Sequence, residues 1–125
     1  MVIITVDYES DEAIYMQLRN QIIMGIARNE LQEGDSLPSV RRMAEEIGVN
    51  MHTVNKAYAV LRQEGFVQLD RRNGAVIAFD IDRMQAVEDM REEMLVILAK
   101  AICKNIEEDE VHQIVHEIYQ GLKKI

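Results

Sequence analysis

Between Ser39 and Lys56 the chain gathers side chains with hydrogen-bonding or cationic ends: Ser39, Arg41, Asn50, His52, Thr53, Asn55 and Lys56. A second basic pair, Arg71 and Arg72, follows within Asp70-Arg71-Arg72-Asn73-Gly74. Neither set makes a catalytic constellation. No Ser/His/Asp or Cys/His group converges, no Gly-rich loop could cradle a nucleotide phosphate, and the three histidines fall in two separate places. Amide, imidazole and hydroxyl groups crowded at the start of one helix suit contacts to base edges, and the free N–H groups of such an end suit phosphate. His112 and His116 stand four apart on one helix face, with Glu108 and Asp109 a turn earlier. That spacing could hold a divalent ion, but two ligands without a defined third read better as a solvated or interface pair, and no cofactor is expected. Cys103 reads as a small buried apolar residue rather than a sensor.

Composition narrows the setting. The chain has 125 residues, 48% hydrophobic and 29% charged, with one Pro, six Gly and a formal net charge of −8, which describes a folded chain and not a disordered one. A single Cys cannot form an intrachain disulfide. The longest nearly apolar stretch, Met94 to Cys103, is interrupted by Lys100 and is too short for a membrane span. No basic flank precedes an apolar run at the N-terminus, so the expectation is a soluble, cytoplasmic protein without membrane association. Charge is unevenly spread: −4 over residues 1–33, +1 over 34–79 and −5 over 80–125. Only the middle segment could face a polyanion without first overcoming its own charge.

The elements that must position these groups follow from periodicity and capping. Met1 to Val6 is β-branched and reads as a short strand, with turn and N-cap residues in Asp7 to Asp11. Ile14, Leu18, Ile22 and Ile26 recur every four residues in a first helix over about Glu12 to Asn29. Ser39 caps a second, running to Ile47 and burying Val40, Met43, Ala44 and Ile47. Gly48 suits a left-handed C-cap, and Asn50 caps a third helix, about Met51 to Glu64, whose inner face is Val54, Ala57, Tyr58 and Leu61. Two helices joined by so short a turn cross steeply, which reads as helix-turn-helix. The period then changes to two around Phe66 to Leu69 and Val76 to Phe79, with Asn73-Gly74 as the turn signal of a β-hairpin. A hairpin directly after a helix-turn-helix is a winged helix.

Beyond Asp80 two more helices are expected, about Asp82 to Asn105 and Glu108 to Lys123. Their apolar stripes include Met84, Val87, Met90, Met94, Ile97, Leu98 and Ile102 on one, and Ile114 and Ile118 on the other. Faces that wide exceed what two helices can cover alone, and a second chain is the natural partner.

The run Gly34-Asp35-Ser36-Leu37-Pro38-Ser39-Val40-Arg41-Arg42-Met43-Ala44, followed by Gly48-Val49-Asn50, Thr53-Val54, Lys56-Ala57-Tyr58 and Leu61, resembles the GntR family of bacterial transcription regulators. Ile14-Tyr15, Gln17-Leu18, Ile22 and Glu64-Gly65 extend the likeness over about residues 10–79. A C-terminal region of two helices is similar to the YtrA-like branch, which lacks a large effector-binding domain. The resemblance implies that Arg41 contacts DNA within the Leu-Pro-Ser-x-Arg motif, that Thr53 and Lys56 meet phosphate, and that the wing lies along the minor groove. Ser39, Asn50, His52, Asn55, Arg71 and Arg72 complete the expected DNA-facing set. Two departures are visible: Glu33 replaces a Pro usual before Gly34, and Arg72 stands where the wing commonly has Gly.

The expectation is therefore a mainly α protein with a small β-hairpin. Residues 1–79 form a winged helix-turn-helix that binds double-stranded DNA, and residues 80–125 form a helical hairpin for homodimerisation. It would be a regulator, on balance a repressor, of a palindromic operator, with any small-molecule effector unspecified. The alternative is a winged-helix adaptor for another protein, which the near-neutral middle segment permits.

Overall fold

The computed structural model describes residues 4–123. Element order is α1 (Ile14–Ala27), α2 (Val40–Ile47), α3 (Met51–Gln63), β1 (Val67–Asp70), β2 (Gly74–Ile77), α4 (Arg83–Cys103) and α5 (Glu108–Lys123). The protein is mainly helical, with a two-stranded antiparallel sheet forming the wing. It divides into two compact units, one up to Asp80 and one from Ile81.

In the first unit α3 packs against α1, α2 and β1. Its core holds Leu18 and Ile22 of α1, Met43 and Ala44 of α2, Val54, Ala57, Tyr58 and Leu61 of α3, and Val67, Ala75 and Ile77 of the hairpin. Leu31 and Leu37, from the long α1–α2 connection, complete it. Ile14, Val40 and Ile47 are half-buried rather than buried.

Side-chain caps open both helices of the pair. Ser39 Oγ accepts the Arg42 N–H at 3.1 Å, and Asn50 Oδ1 accepts the His52 N–H at 2.7 Å. Between them Gly48 adopts φ +70°, so α2 stops at Ile47 and, after only Gly48, Val49 and Asn50, α3 starts at Met51. At the other end of α3, Gly65 has φ +85°, and a Cβ there would lie 3.2 Å from both Cβ and O of Asp80. Either demand favours glycine. The end of α1 uses Asn29 at φ +65° for the same purpose, and the end of α4 uses Asn105 at φ +60°.

Three expectations about the backbone need correction. Residues 4–6 are not a strand, and residues 1–3 lie outside the described range. Instead the extended segment is held by two glutamines of α1. Thr5 N–H donates to Gln21 Oε1 at 2.9 Å while Gln21 Nε2 donates to the Thr5 carbonyl, and Gln17 does the same for Asp7 at 2.9 Å each way. Four helical residues rise about 6 Å and two extended residues about 6.6 Å, so side-chain amides one turn apart can mimic a neighbouring strand. The N-cap of α1 is Ala13, with no side-chain cap, in place of a residue from Asp7 to Asp11. The wing turn is a three-residue loop, Arg71 to Asn73, with Gly74 already paired to Asp70 at φ +72°. A further strand-like segment also appears: Leu37 N–H donates to the Ala75 carbonyl, Gly34 N–H to the Ile77 carbonyl, and Ile77 N–H to the Asp35 carbonyl, each at 2.8 Å.

In the second unit no described residue of α4 or α5 is buried. Met84, Met90, Ile97, Ile102, Ile114 and Ile118 are exposed, while Val87, Met94 and Leu98 are half-buried. Asp82 caps α4 by accepting the Gln85 N–H at 3.1 Å, and Glu108, Asp109 and Glu110 open α5, where negative charge suits a helix N-terminus. Cys103 is exposed, contrary to its expected burial. Among the described residues no helix is long and apolar enough to cross a membrane.

Candidate nucleic-acid interface

The first turn of α3 presents Asn50, Met51, His52 and Asn55 as exposed side chains, with Thr53 half-buried. Part of Asn50 is spent on capping, since its Oδ1 already accepts the His52 N–H; its Nδ2 donors stay available. Ser39 is likewise exposed at the start of α2 with its hydroxyl engaged in the cap.

Pairing separates the basic residues. Arg42 meets Glu46 at 3.0 Å, one helical turn on. Arg41 makes no ion pair among the described residues, Glu45 included. Lys56 is not a freely solvated lysine: its Nζ lies 4.2 Å from the centroid of the Tyr15 ring on α1, a cation–π contact that limits its rotamers. Sequence periodicity carries no signal for that contact, because Tyr15 and Lys56 meet only once α1 and α3 pack.

Two residues outside the expected set hold the helix pair in place. Tyr58 Oη donates to the Pro38 carbonyl at 2.7 Å, fixing the residue just before the α2 cap. Burial, with the Glu46 carboxylate adding to it, pushes the Tyr58 hydroxyl well above its usual pKa, so it remains a donor. Tyr8 Oη donates to the Gly48 carbonyl at 2.8 Å, tying the N-terminal segment to the turn between α2 and α3.

At the wing tip, Asp70 Oδ1 accepts the Arg72 N–H at 2.8 Å and the Asn73 N–H at 3.3 Å. These backbone donors, Arg72 first, hold the Asp70 carboxyl below its usual range. The loop is thereby shaped through its backbone, leaving the Arg71 and Arg72 side chains exposed and without an ion pair among the described residues. On α5, His112 Nε2 lies 3.6 Å from Glu108, and no group of three potential metal ligands, with or without His116, occurs among the described residues.

A helix-turn-helix with a wing and an exposed polar turn on its third helix defines the class of winged-helix regulators. The sequence matches the family described as bacterial regulatory proteins, gntR family, over residues 11–77, and the chain belongs to that family. It is a transcription regulator of the YtrA-like kind. The transcriptional repressor YtrA of Bacillus subtilis is 29% identical over 123 residues, spanning 96% of this chain and 95% of its own. A crystal structure titled a transcriptional antiterminator from Listeria monocytogenes superposes with a TM-score of 0.86 at 26% identity, covering 96% of this chain and 92% of its own. YtrA from Sulfolobus acidocaldarius gives a TM-score of 0.68 at 40% identity over 81% of this chain and 98% of its own.

Proposed function

We propose that this regulator is a cytoplasmic, homodimeric repressor that reads a palindromic DNA operator. In this reading α3 enters the major groove, where Asn50, His52 and Asn55 meet base edges. Arg41 contacts DNA from α2, with Ser39 beside it, and Thr53 and Lys56 meet phosphate. Arg71 and Arg72 reach the minor groove, where a narrow width concentrates negative potential. Residues 80–125 supply the dimer through Met84, Val87, Met90, Met94, Ile97, Leu98, Ile102, Ile114 and Ile118. Repression is proposed on the likeness to the Bacillus subtilis protein, which bears that description.

The observation that carries the reading is the pairing state of the cations. Among the arginines of residues 34–79 only Arg42 is tied to a carboxylate, leaving Arg41, Arg62, Arg71 and Arg72 exposed for an external anion. Selection of bound duplexes from a random pool, followed by titration at several salt concentrations, is the test. An inverted repeat with steeply salt-dependent affinity supports the proposal. No enriched sequence and no salt slope would favour the adaptor reading instead.

A further inference from the structure

Between α3 and the wing runs an open cavity of about 280 Å³. Pro38 and Ser39 bound it at the start of α2, Asn55 and Arg62 on α3, and Leu69 and Ala75 on the hairpin. Two of these residues have been given no specific contact so far. Arg62 is exposed near the end of α3, and its guanidinium makes no ion pair or hydrogen bond among the described residues. Leu69 lies on a strand opposite the buried Ala75, yet it is 66% exposed.

We propose that this groove is the track of the sugar-phosphate strand that separates the major groove from the adjacent minor groove, with Arg62 as its cationic anchor and Leu69 against the deoxyribose. The inference rests on the DNA reading above and deepens it. If α3 occupies a major groove and the wing the neighbouring minor groove, one strand of the duplex must pass between them. Such a strand alternates anionic phosphates with apolar sugar faces. The groove offers the matching alternation: a guanidinium, a hydroxyl and an amide from Arg62, Ser39 and Asn55, beside Pro38, Leu69 and Ala75. Arg62 follows Asn55 by seven residues, close to two helical turns, so both project from one face of α3 about 10 Å apart along its axis. One face of the helix then serves the base edges at its start and the backbone further along. Arg62 escaped the sequence reading because it stands between motif residues, Leu61 and Glu64-Gly65, and its place beside the hairpin is set only once the wing folds back on α3.

The test uses the full chain with its selected operator and an unrelated duplex. Arg62→Gln is expected to weaken binding to both by the same factor, about three- to tenfold, and to flatten the slope of log affinity against log salt by about 0.9 per protomer. Arg62→Lys should retain the slope. Leu69→Asp should weaken binding to both duplexes, since it sets a carboxylate against phosphate. Ethylation interference gives a readout independent of stability: the wild-type chain should be blocked at one phosphate per half-site where Arg62→Gln is indifferent. If Arg62→Gln matches wild type in slope and interference while Arg41→Ala weakens binding, the track is overturned and the DNA reading stands. If the wild-type chain binds neither duplex, both fall.

Discussion

Leu61 in the last turn of α3 is fully buried, whereas Leu95 in the middle of α4 is 72% exposed. Both are leucines in regular helix, so propensity does not distinguish them. In the first unit, three helices and a hairpin close around one another, and six large side chains, among them Leu18, Ile22 and Ile77, lose essentially all contact with water. In the second, α4 and α5 leave Met84, Leu95, Ile97 and Ile102 each at least 60% exposed. Burying each such side chain contributes roughly 1.5 to 3 kcal/mol. Similar apolar content thus has two outcomes: in the first unit it holds a lobe together, and in the second much of it stays exposed, the face that the proposed dimer would cover.

Matched substitutions test this contrast most sharply. Leu61→Ala should cost about 2–5 kcal/mol of stability in denaturant unfolding, through lost burial and a cavity. Leu95→Ala, measured on dilute monomer, should stay within about 0.5 kcal/mol. Equal costs would mean that α4 is covered by its own chain. Arg41→Ala separates binding from folding within the first unit. It should weaken operator binding by about 1–3 kcal/mol and relax preference at one position per half-site, with an unchanged unfolding midpoint. Unchanged affinity would remove Arg41 from the interface.

A smaller effect is expected from Tyr58→Phe, which deletes the donor to the Pro38 carbonyl and should cost about 1 kcal/mol. A neutral result would mean that the start of α2 needs no such tether. The smallest effect lies at the wing tip. Because the folded pKa of Asp70 is lowered, its contribution to the turn is complete above the ordinary carboxylate range and is lost as pH falls through the folded value. Amide resonances of Arg72 and Asn73 should therefore shift together below about pH 4, the ordinary carboxylate value, and Asp70→Asn should abolish the step. Persistence of the step in that variant would assign it elsewhere.

The helix-turn-helix was legible because its determinants are local: Ser39, Gly48 and Asn50 act on backbone within three residues of themselves. The inner face of α3 was equally plain from its periodicity. What escaped depends on chain segments that meet only after folding. The pairing of residues 34–37 with β2 has no periodic signature over so short a stretch containing Gly34, Asp35 and Ser36. The Gln17 and Gln21 clamps replace an expected strand by side-chain amides, which hydropathy does not register. Lys56 was legible as a cation on an exposed face, but its seat on Tyr15 required α1 to be in place.

In the proposed dimer the apolar faces of α4 and α5 are covered by a second copy of the chain. Sedimentation equilibrium of the full chain and of Ile97→Asp, both at micromolar concentration, tests it most directly. The wild type should show twice the mass of one chain, and the variant a single-chain mass with an unchanged circular dichroism spectrum. A wild-type chain that sediments as one chain, or a variant that stays a dimer, would contradict it.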